Sequence, residues 1–179
     1  MIRAFVGLPL PESARDRLEA LADDLGEGRP VAWENLHLTL AFLGERTSPA
    51  LSDAAEEIAR VTGPAPELRL EGVDVFGGAT PRSAHVRVRP DRALTELRDA
   101  VRRAARRGGV ELPHERFVPH VTVARFTAKA PAGGGLARWL AAHASFALAP
   151  FTAREAMLWR SDLGPDEPTY TELMEIPLT

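Results

Sequence analysis

The chain has 179 residues, and its 22 Lys and Arg against 25 Asp and Glu give a formal net charge of −3. Apolar residues make up 45% and charged residues 26%, which is typical of a folded globular protein and excludes disorder as the main state. The sequence has 0 Cys, which excludes disulfides, thiolate metal sites and a cysteine nucleophile. No apolar run approaches the roughly 20 residues that span a bilayer, and the first residues lack the apolar stretch of a signal peptide. We therefore predict a cytoplasmic protein without a membrane association.

The positive charge is carried almost wholly by arginine, since Lys129 is the one lysine in the sequence. Arginine suits phosphate, because its planar fork donates two parallel hydrogen bonds. The arginines are scattered along the chain, however, so we attribute most of them to base composition of the genome. The acidic balance argues against a protein that coats nucleic acid without specificity, and it leaves open an enzyme that binds one end of an RNA.

Apolar periodicity predicts the elements of the first half in chain order. Residues 2–8 alternate as a strand does, and Pro11 then begins a helix that ends at Gly26. A second strand over 37–43 leads to a second helix. That helix is capped and begun by Ser48-Pro49 and stopped by Gly63-Pro64, and strands over 68–76 and 83–89 follow it.

The same order of elements resumes after Pro90. A third helix runs to Gly108-Gly109, and its exposed sides carry five arginines, which we interpret as a solvated face: Arg98, Arg102, Arg103, Arg106 and Arg107. A strand over 117–126 and a helix after the glycines at 133–135 come next. Strands over 146–151, 153–159 and 170–176 complete the chain.

Interleaved strands and helices predict an α+β fold. Because each half runs strand, helix, strand, helix, strand, we predict an internal duplication within a single domain, 1–179. The two similar lobes cover about 1–82 and 83–179 and can exchange strands. A pseudo-two-fold axis relates them; each lobe is an antiparallel sheet with helices on its outer face, and the active-site cleft lies between them.

The likeness between the halves is sharpest in two short motifs, His37-Leu38-Thr39-Leu40 and His120-Val121-Thr122-Val123, whose histidines lie 120 − 37 = 83 residues apart. In a strand, residues i and i+2 point to the same face, so each motif presents an imidazole and a hydroxyl on one face and an apolar anchor on the other. Under the duplication, both His-Thr pairs face one shared cleft.

Two imidazoles that face one bound group can act as general base and general acid, because a histidine pKa near 6.5 allows one ring to be neutral and the other protonated. Two threonine hydroxyls can hold the non-reacting oxygens of a phosphate. The set predicts cleavage of a phosphodiester without a metal. No motif with metal-ligand spacing, such as His-Glu-x-x-His, favours a metallohydrolase.

These residues resemble the 2H phosphoesterase superfamily and, within it, the RNA 2′,3′-cyclic phosphodiesterases, also called 2′-5′ RNA ligases. The resemblance runs the whole length of the chain. Besides the two motifs it includes Ile2-Arg3-Ala4-Phe5-Val6, Glu34-Asn35-Leu36, Phe42-Leu43-Gly44, Phe117-Val118-Pro119, Ala124-Arg125, Arg160-Ser161-Asp162-Leu163-Gly164-Pro165 and Tyr170.

The resemblance implies an enzyme that opens a terminal 2′,3′-cyclic phosphate on RNA to a 2′-phosphate. It implies His37 as proton donor to the departing 3′ oxygen, His120 as the base that activates water, and phosphate binding by Thr39 and Thr122. It also implies no metal or nucleotide cofactor, and ATP-independent joining of RNA ends, such as tRNA halves, by the reverse reaction. We predict a monomer without an obligate protein partner.

Arg125 matches an arginine that the family uses after the second motif, but strict alternation from His120 places it on the opposite face of the strand. Either the strand bulges or ends near Ala124, or Arg125 supports the site from behind. His85 stands where relatives often carry an aromatic residue. For it we consider a cleft position that stacks on a base, or an exposed strand position.

Three large aromatic residues, Trp33, Phe42 and Trp159, are candidate base platforms, although core packing is the simpler interpretation of each. Two other functions stay open at this stage. One is a module that binds RNA or nucleotide ends with little turnover, and the other is a phosphodiesterase of a small cyclic nucleotide or an ADP-ribose cyclic phosphate.

Overall fold

The computed structural model describes residues 1–127 and 134–179. Its strands are β1 (Ile2–Pro9), β2 (Arg29–Pro30), β3 (His37–Arg46), β4 (Glu67–Leu68), β5 (Leu70–Phe76), β6 (Ser83–Val88), β7 (His120–Arg125), β8 (Phe151–Thr152), β9 (Glu155–Asp162) and β10 (Thr169–Pro177). Its α-helices are α1 (Glu12–Leu25), α2 (Ser48–Ile58), α3 (Arg92–Arg107) and α4 (Gly135–Ala142), and a 3-10 turn lies at Trp33–Asn35.

The strands form one large antiparallel sheet in the order β10-β9-β1-β3-β7-β6-β5, and the short β2 adds to β7. A second, two-stranded sheet pairs β4 with β8. The predicted α+β fold is thus confirmed. The strands of each half of the sequence are distributed through this sheet, since β9 and β10 of the second half extend the side that begins with β1 and β3.

Two helices pack against strands of the other half of the sequence. α1 follows β1 in the chain yet packs against β7, and α3 follows β6 yet packs against β3. α2 lies on α3, and α4 lies on α1. This reciprocal exchange suits the predicted duplication into lobes of about 1–82 and 83–179, which stays a prediction.

Helix boundaries follow the expected chemistry with two corrections, the first of which is that α2 ends at Ile58, before the predicted stop at Gly63-Pro64. Pro11 precedes α1, and Gly26 ends it in the left-handed conformation, with φ +65°. The cap of α2 is Thr47 rather than Ser48, because the Thr47 hydroxyl accepts a hydrogen bond from the Ala50 N–H at 3.4 Å. No helix in the two described ranges is both long and apolar enough to cross a membrane.

Two predicted strands are shorter than expected, and both contain proline, which has no N–H to donate to a ladder. The strand predicted over 117–126 begins at His120, after Pro119. The strand predicted over 146–151 is reduced to a bridge between Ala147 and Glu71 and to the start of β8, after Pro150. Gly133, from the predicted glycine loop, and Lys129 lie outside the described residues.

Of the five arginines of α3, Arg103, Arg106 and Arg107 are exposed as the sequence suggests, whereas Arg98 and Arg102 are not part of a solvated face. Arg102 is buried, where it pairs with the Glu115 carboxylate at 3.2 Å and donates to the Pro113 carbonyl. Arg98 donates to the Glu115 carbonyl at 3.1 Å. The helix therefore uses its guanidinium groups to anchor the segment that leads into β7, because this segment has few backbone partners of its own.

Candidate active site

The two His-Thr motifs lie side by side and line one cleft of about 340 Å³. His37, Thr39, His120 and Thr122 all border it. The intervening Leu38 and Val121 are each 0% exposed and pack on the opposite face of the sheet, as the two-residue period requires. The cleft is therefore a direct result of strand alternation in β3 and β7.

Leu38 and Val121 are also cross-strand partners. On an antiparallel pair, opposite residues lie about 5 Å apart, so the residues that flank them on β3 come close to those that flank them on β7. This register brings the imidazole and hydroxyl of one motif to the imidazole and hydroxyl of the other. The structure thus brings together all four motif residues.

Both histidines are held in the same tautomer by the same local contact. His37 Nδ1 lies 2.6 Å from the Asn35 carbonyl oxygen, and His120 Nδ1 lies 2.7 Å from the Val118 carbonyl oxygen. Since a carbonyl only accepts, each Nδ1 carries a hydrogen. The Nε2 atom of each neutral ring is then an acceptor, and for His37 it accepts from the Thr39 hydroxyl at 3.0 Å.

The two rings differ in their surroundings. His37 is enclosed by three aromatic side chains, with centroid distances of 4.7 Å to Phe5, 5.5 Å to Trp159 and 5.4 Å to Tyr170. Gly7 makes room for this cluster, because a Cβ there would lie 2.6 Å from the Leu38 carbonyl oxygen and 3.3 Å from the His37 ring. Trp159 is therefore buried against an imidazole of the cleft.

Burial and positive charge lower the pKa of both imidazoles. Burial lowers the pKa of His37 to about 4; its hydrogen bond to Asn35 opposes this, and the Arg125 charge adds to it. The pKa of His120 is lowered as well, mainly by burial, with a smaller contribution from Arg125. Both rings are thus neutral bases near pH 7 before anything negative enters the cleft.

Arg125 lines the cleft although strict alternation predicts the opposite face. Ala84 pairs with Ala124, whereas His85 pairs with Thr122, so β7 contains one extra residue, Val123, at this point. Such a β-bulge reverses the alternation beyond it. Of the expected alternatives, the bulge is the one present, and it adds a guanidinium to the two imidazoles.

His85 is neither exposed nor available to stack on a base. It is 2% exposed, its ring stacks on Phe76 at 4.1 Å, and its edge faces His120 at 5.1 Å. Burial lowers its pKa to about 4, and its Nδ1 atom has no hydrogen-bond partner. His85 therefore forms the neutral wall behind His120, because Phe76 covers it on the cleft side of β6.

Two of the candidate base platforms lie on the surface instead of in the core. Phe42 is 43% exposed, with the Arg3 guanidinium 4.4 Å from its ring centroid. Trp33 is partly exposed; it donates to Asp16 Oδ1 at 2.8 Å and carries the Arg15 guanidinium 4.9 Å from its ring. Arginine stacking, which the sequence does not indicate, stabilises both rings where they are.

The rest of the cleft comes from segments that sequence reasoning did not assign to the site. Ser83 of β6 and Tyr170 of β10 line it, and burial raises the pKa of the Tyr170 phenol, so it stays neutral. The loop between β9 and β10 closes one side, where Asn35 Nδ2 donates to the Pro168 carbonyl at 2.8 Å. The sequence offered a signal for Tyr170 and for Asn35, since both line the cleft and both belong to the family resemblance.

The arrangement joins two uncharged imidazoles, two hydroxyls and one guanidinium around a space that suits a phosphate group. Within residues 1–127 and 134–179, no group of three or more His, Cys, Asp or Glu side chains is placed to hold a metal ion. The donor set is that of an oxyanion site with an acid–base pair.

Comparisons with known proteins identify the family of the chain. Residues 10–165 match the model of the 2′-5′ RNA ligase superfamily. The chain is 32% identical, over 97% of its length, to the RNA 2′,3′-cyclic phosphodiesterase of Geobacillus stearothermophilus, of which it spans 56%. It is 31% identical, over 99% of its length, to the Escherichia coli K12 protein of the same name and covers 97% of it. The crystal structure of E. coli LigT complexed with 3′-AMP superposes with a TM-score of 0.79 and 26% identity, covering 99% of this chain and 98% of that one.

Proposed function

The chain belongs to the 2′-5′ RNA ligase superfamily, and from this premise we propose that it hydrolyses the terminal 2′,3′-cyclic phosphate of RNA to a 2′-phosphate. The observation that carries the proposal is the convergence of the two motif histidines and the two motif threonines on one cleft. The same activity in its relatives, named RNA 2′,3′-cyclic phosphodiesterase, supports it.

In this proposal His120 is the general base and His37 the general acid. The free Nε2 of His120 takes a proton from water as its oxygen bonds to phosphorus. The bond between phosphorus and the 3′ oxygen breaks, and the Nε2 proton of a protonated His37 passes to that oxygen. The products are a 2′-phosphate and a 3′-hydroxyl, and both rings return to their starting state by proton exchange with solvent.

Thr39, Thr122 and Arg125 bind the non-bridging oxygens of the phosphate in this proposal. A hydroxyl or guanidinium aimed at these oxygens stabilises the negative charge that grows as water adds to phosphorus. Thr39 has a second task, because its hydroxyl is the hydrogen-bond partner of His37 Nε2 at 3.0 Å. When phosphate enters, this hydroxyl is free to turn toward the substrate as Nε2 becomes a donor.

His37 must gain its proton upon substrate binding, since burial holds its pKa at about 4 in the free protein. A phosphate monoanion beside Nε2 favours the protonated ring. The assignment of the acid to His37 and the base to His120 follows the resemblance of the two motifs to those of the family.

The same steps with a 5′-hydroxyl in place of water join a 2′,3′-cyclic phosphate end to that hydroxyl through a 2′-5′ linkage without ATP: the 5′ oxygen bonds to phosphorus, its proton passes to His120, and the 3′ oxygen leaves with the proton of His37. The step is reversible, and tRNA halves are substrates of that type. The proposal needs no cofactor. A cytoplasmic location and a monomeric state stay predictions.

The decisive experiment incubates an RNA oligonucleotide ending in a 2′,3′-cyclic phosphate with the protein in EDTA and identifies the product isomer. We expect a 2′-phosphate, and a loss of at least a hundredfold in kcat for His37→Ala and for His120→Ala. His114→Ala is the matched control, because His114 is exposed and does not line the cleft. A 3′-phosphate product would reverse the leaving group, and activity that survives both cleft substitutions would refute the mechanism.

The same assay separates the two other functions. A module for nucleotide ends would bind the oligonucleotide and leave the cyclic phosphate closed. A phosphodiesterase of small molecules would open nucleoside or ADP-ribose cyclic phosphates and leave the oligonucleotide intact.

A further inference from the structure

A second depression, the arginine groove, lies beside the cleft at the end of β6 and the start of β7. It has a volume of about 300 Å³ and is lined by Arg87, Arg89, Arg116, Phe117, Val118 and Glu71, among others. Three guanidinium groups against one carboxylate give it a positive charge. Its apolar part is Phe117, which is half-buried, and Val118, which is 43% exposed.

The three arginines of the groove make no ion pair or side-chain hydrogen bond with any residue in the described ranges. Elsewhere on the molecule arginines are mostly engaged: Arg60 and Arg107 pair with Glu57, Arg69 with Glu67, Arg92 with Glu96 and Arg160 with Asp162. An exposed guanidinium without a carboxylate partner keeps all its donors for an incoming anion. The groove therefore offers three such groups within one depression.

The groove continues directly from the cleft. Arg87 of β6 is the cross-strand partner of His120, so their Cα atoms are about 5 Å apart. Val118 lines the groove and also supplies the carbonyl that accepts from His120 Nδ1. A chain bound at the cleft can pass from His120 to Arg87 without leaving the surface.

The opposite side of the cleft has the other charge. Asp166 and Glu167 of the β9–β10 loop line it there, and Arg29 on that side is already paired with Asp166 at 3.6 Å. One positive and two negative groups leave a net negative charge on that side, which repels phosphodiesters, whereas guanidinium groups without a carboxylate partner attract them. Charge thus distinguishes the two exits of the cleft.

We propose that the arginine groove binds the phosphodiesters of single-stranded RNA immediately 5′ of the terminal nucleotide whose cyclic phosphate lies in the cleft. The proposal rests on the function proposed above and adds the path of the RNA. Arg87, Arg89 and Arg116 bind successive phosphates, and Phe117 offers an apolar surface against which a base packs. The reaction then takes place in the cleft alone. Binding in the groove makes the protein prefer an oligonucleotide substrate over a mononucleotide.

The test compares kcat/KM on an oligonucleotide ending in a 2′,3′-cyclic phosphate with kcat/KM on a nucleoside 2′,3′-cyclic phosphate. We expect the double variant Arg89→Gln/Arg116→Gln to lower the ratio of the two values by roughly tenfold. The ratio corrects for any change at the catalytic centre. The matched control is Arg103→Gln/Arg154→Gln, which removes the same charge from two exposed arginines that line neither the cleft nor the groove.

Salt dependence gives an independent readout. Each lost contact to a single strand lowers the slope of log KM against log salt by about 0.7, so two lost contacts lower it by about 1.4. Between 50 and 200 mM salt, KM for the oligonucleotide should rise about sevenfold more in the unsubstituted protein than in the groove variant.

An unchanged ratio and slope in the groove variant, or an equal fall in the control, would overturn the proposal. If the unsubstituted protein opens neither substrate, the proposed function itself fails. The two failures are thus distinguishable, because only the first leaves turnover intact.

Discussion

Leu38 of β3 lies opposite Val121 of β7. Among the described residues, this is the one pair of residues that is aligned across the two strands that carry the site. Each of the two residues lies between a His and a Thr that line the cleft. The spacing of the motif imidazoles and hydroxyls is therefore set by a contact between two buried aliphatic side chains on the other face of the sheet.

Truncation of this contact should reduce activity as well as stability. Leu38→Ala removes a fully buried side chain and should cost about 2–5 kcal/mol in the free energy of unfolding. We also expect kcat to fall by about tenfold or more at a temperature where the variant is still folded, since misplacement of acid relative to base slows the reaction. Leu97→Ala, in the core face of α3, is the control; an equal loss of kcat there would refute the special role of the strand contact.

The pH dependence should reveal that both imidazoles are neutral in the free protein. Because the pKa of His37 is about 4 and that of His120 is also lowered, both limbs of the profile of kcat/KM should lie below pH 6.5. The limb of kcat that reports the acid should lie at higher pH, because bound phosphate favours protonated His37. Initial rates from pH 4 to 9 measure both profiles, and a limb of kcat/KM above pH 7 that belongs to His37 would contradict this account.

Arg125 should act on phosphate binding and on the pKa of both rings at once. Arg125→Gln should raise KM by about tenfold, because a charge-assisted contact to phosphate is lost. It should also shift both limbs of the kcat/KM profile to higher pH, since the Arg125 charge lowers the pKa of His37 and of His120. Arg103→Gln, on an exposed face of α3, should do neither. A rise in KM with unmoved limbs would mean that Arg125 lies too far from the rings to affect them.

His85 should make the stability depend on pH in a known direction. Its pKa is about 4 in the folded chain and about 6.5 in the unfolded one, so between these values the unfolded chain binds more protons and stability falls as the pH falls. The loss approaches about 1.4 kcal/mol per pH unit for this one group. His85→Phe should reduce that dependence by the share of His85, leaving the shares of His37 and His120, and should also remove the unpaired Nδ1 atom. Urea unfolding at pH 7 and pH 5 compares the two proteins, and an equal loss in both would show that His85 is not the group that titrates.

The periodicity of the sequence was sufficient for most of the fold, and for a physical reason. Helices and strands each bury one face. The spacing of buried apolar residues such as Leu38 and Val121 along the sequence therefore indicates the type of element. The reduced strand near 146–151 shows the limit. Apolar residues there matched a strand, but Pro150 could not join a ladder and the pattern did not reveal which partner was available.

The two similar motifs were sufficient to predict which side chains share one face of each strand, because the i, i+2 relation in a strand places a His and a Thr on one face without help from the rest of the chain. What only the tertiary structure decided was every relation between segments that are distant in sequence. The bulge at Val123 turns Arg125 into the cleft, Phe76 covers His85, and α3 uses Arg102 to hold the segment before β7. Such features depend on cross-strand register and on which side chain fills a given space. Register and packing are properties of pairs of elements, and a local pattern contains information on only one element at a time.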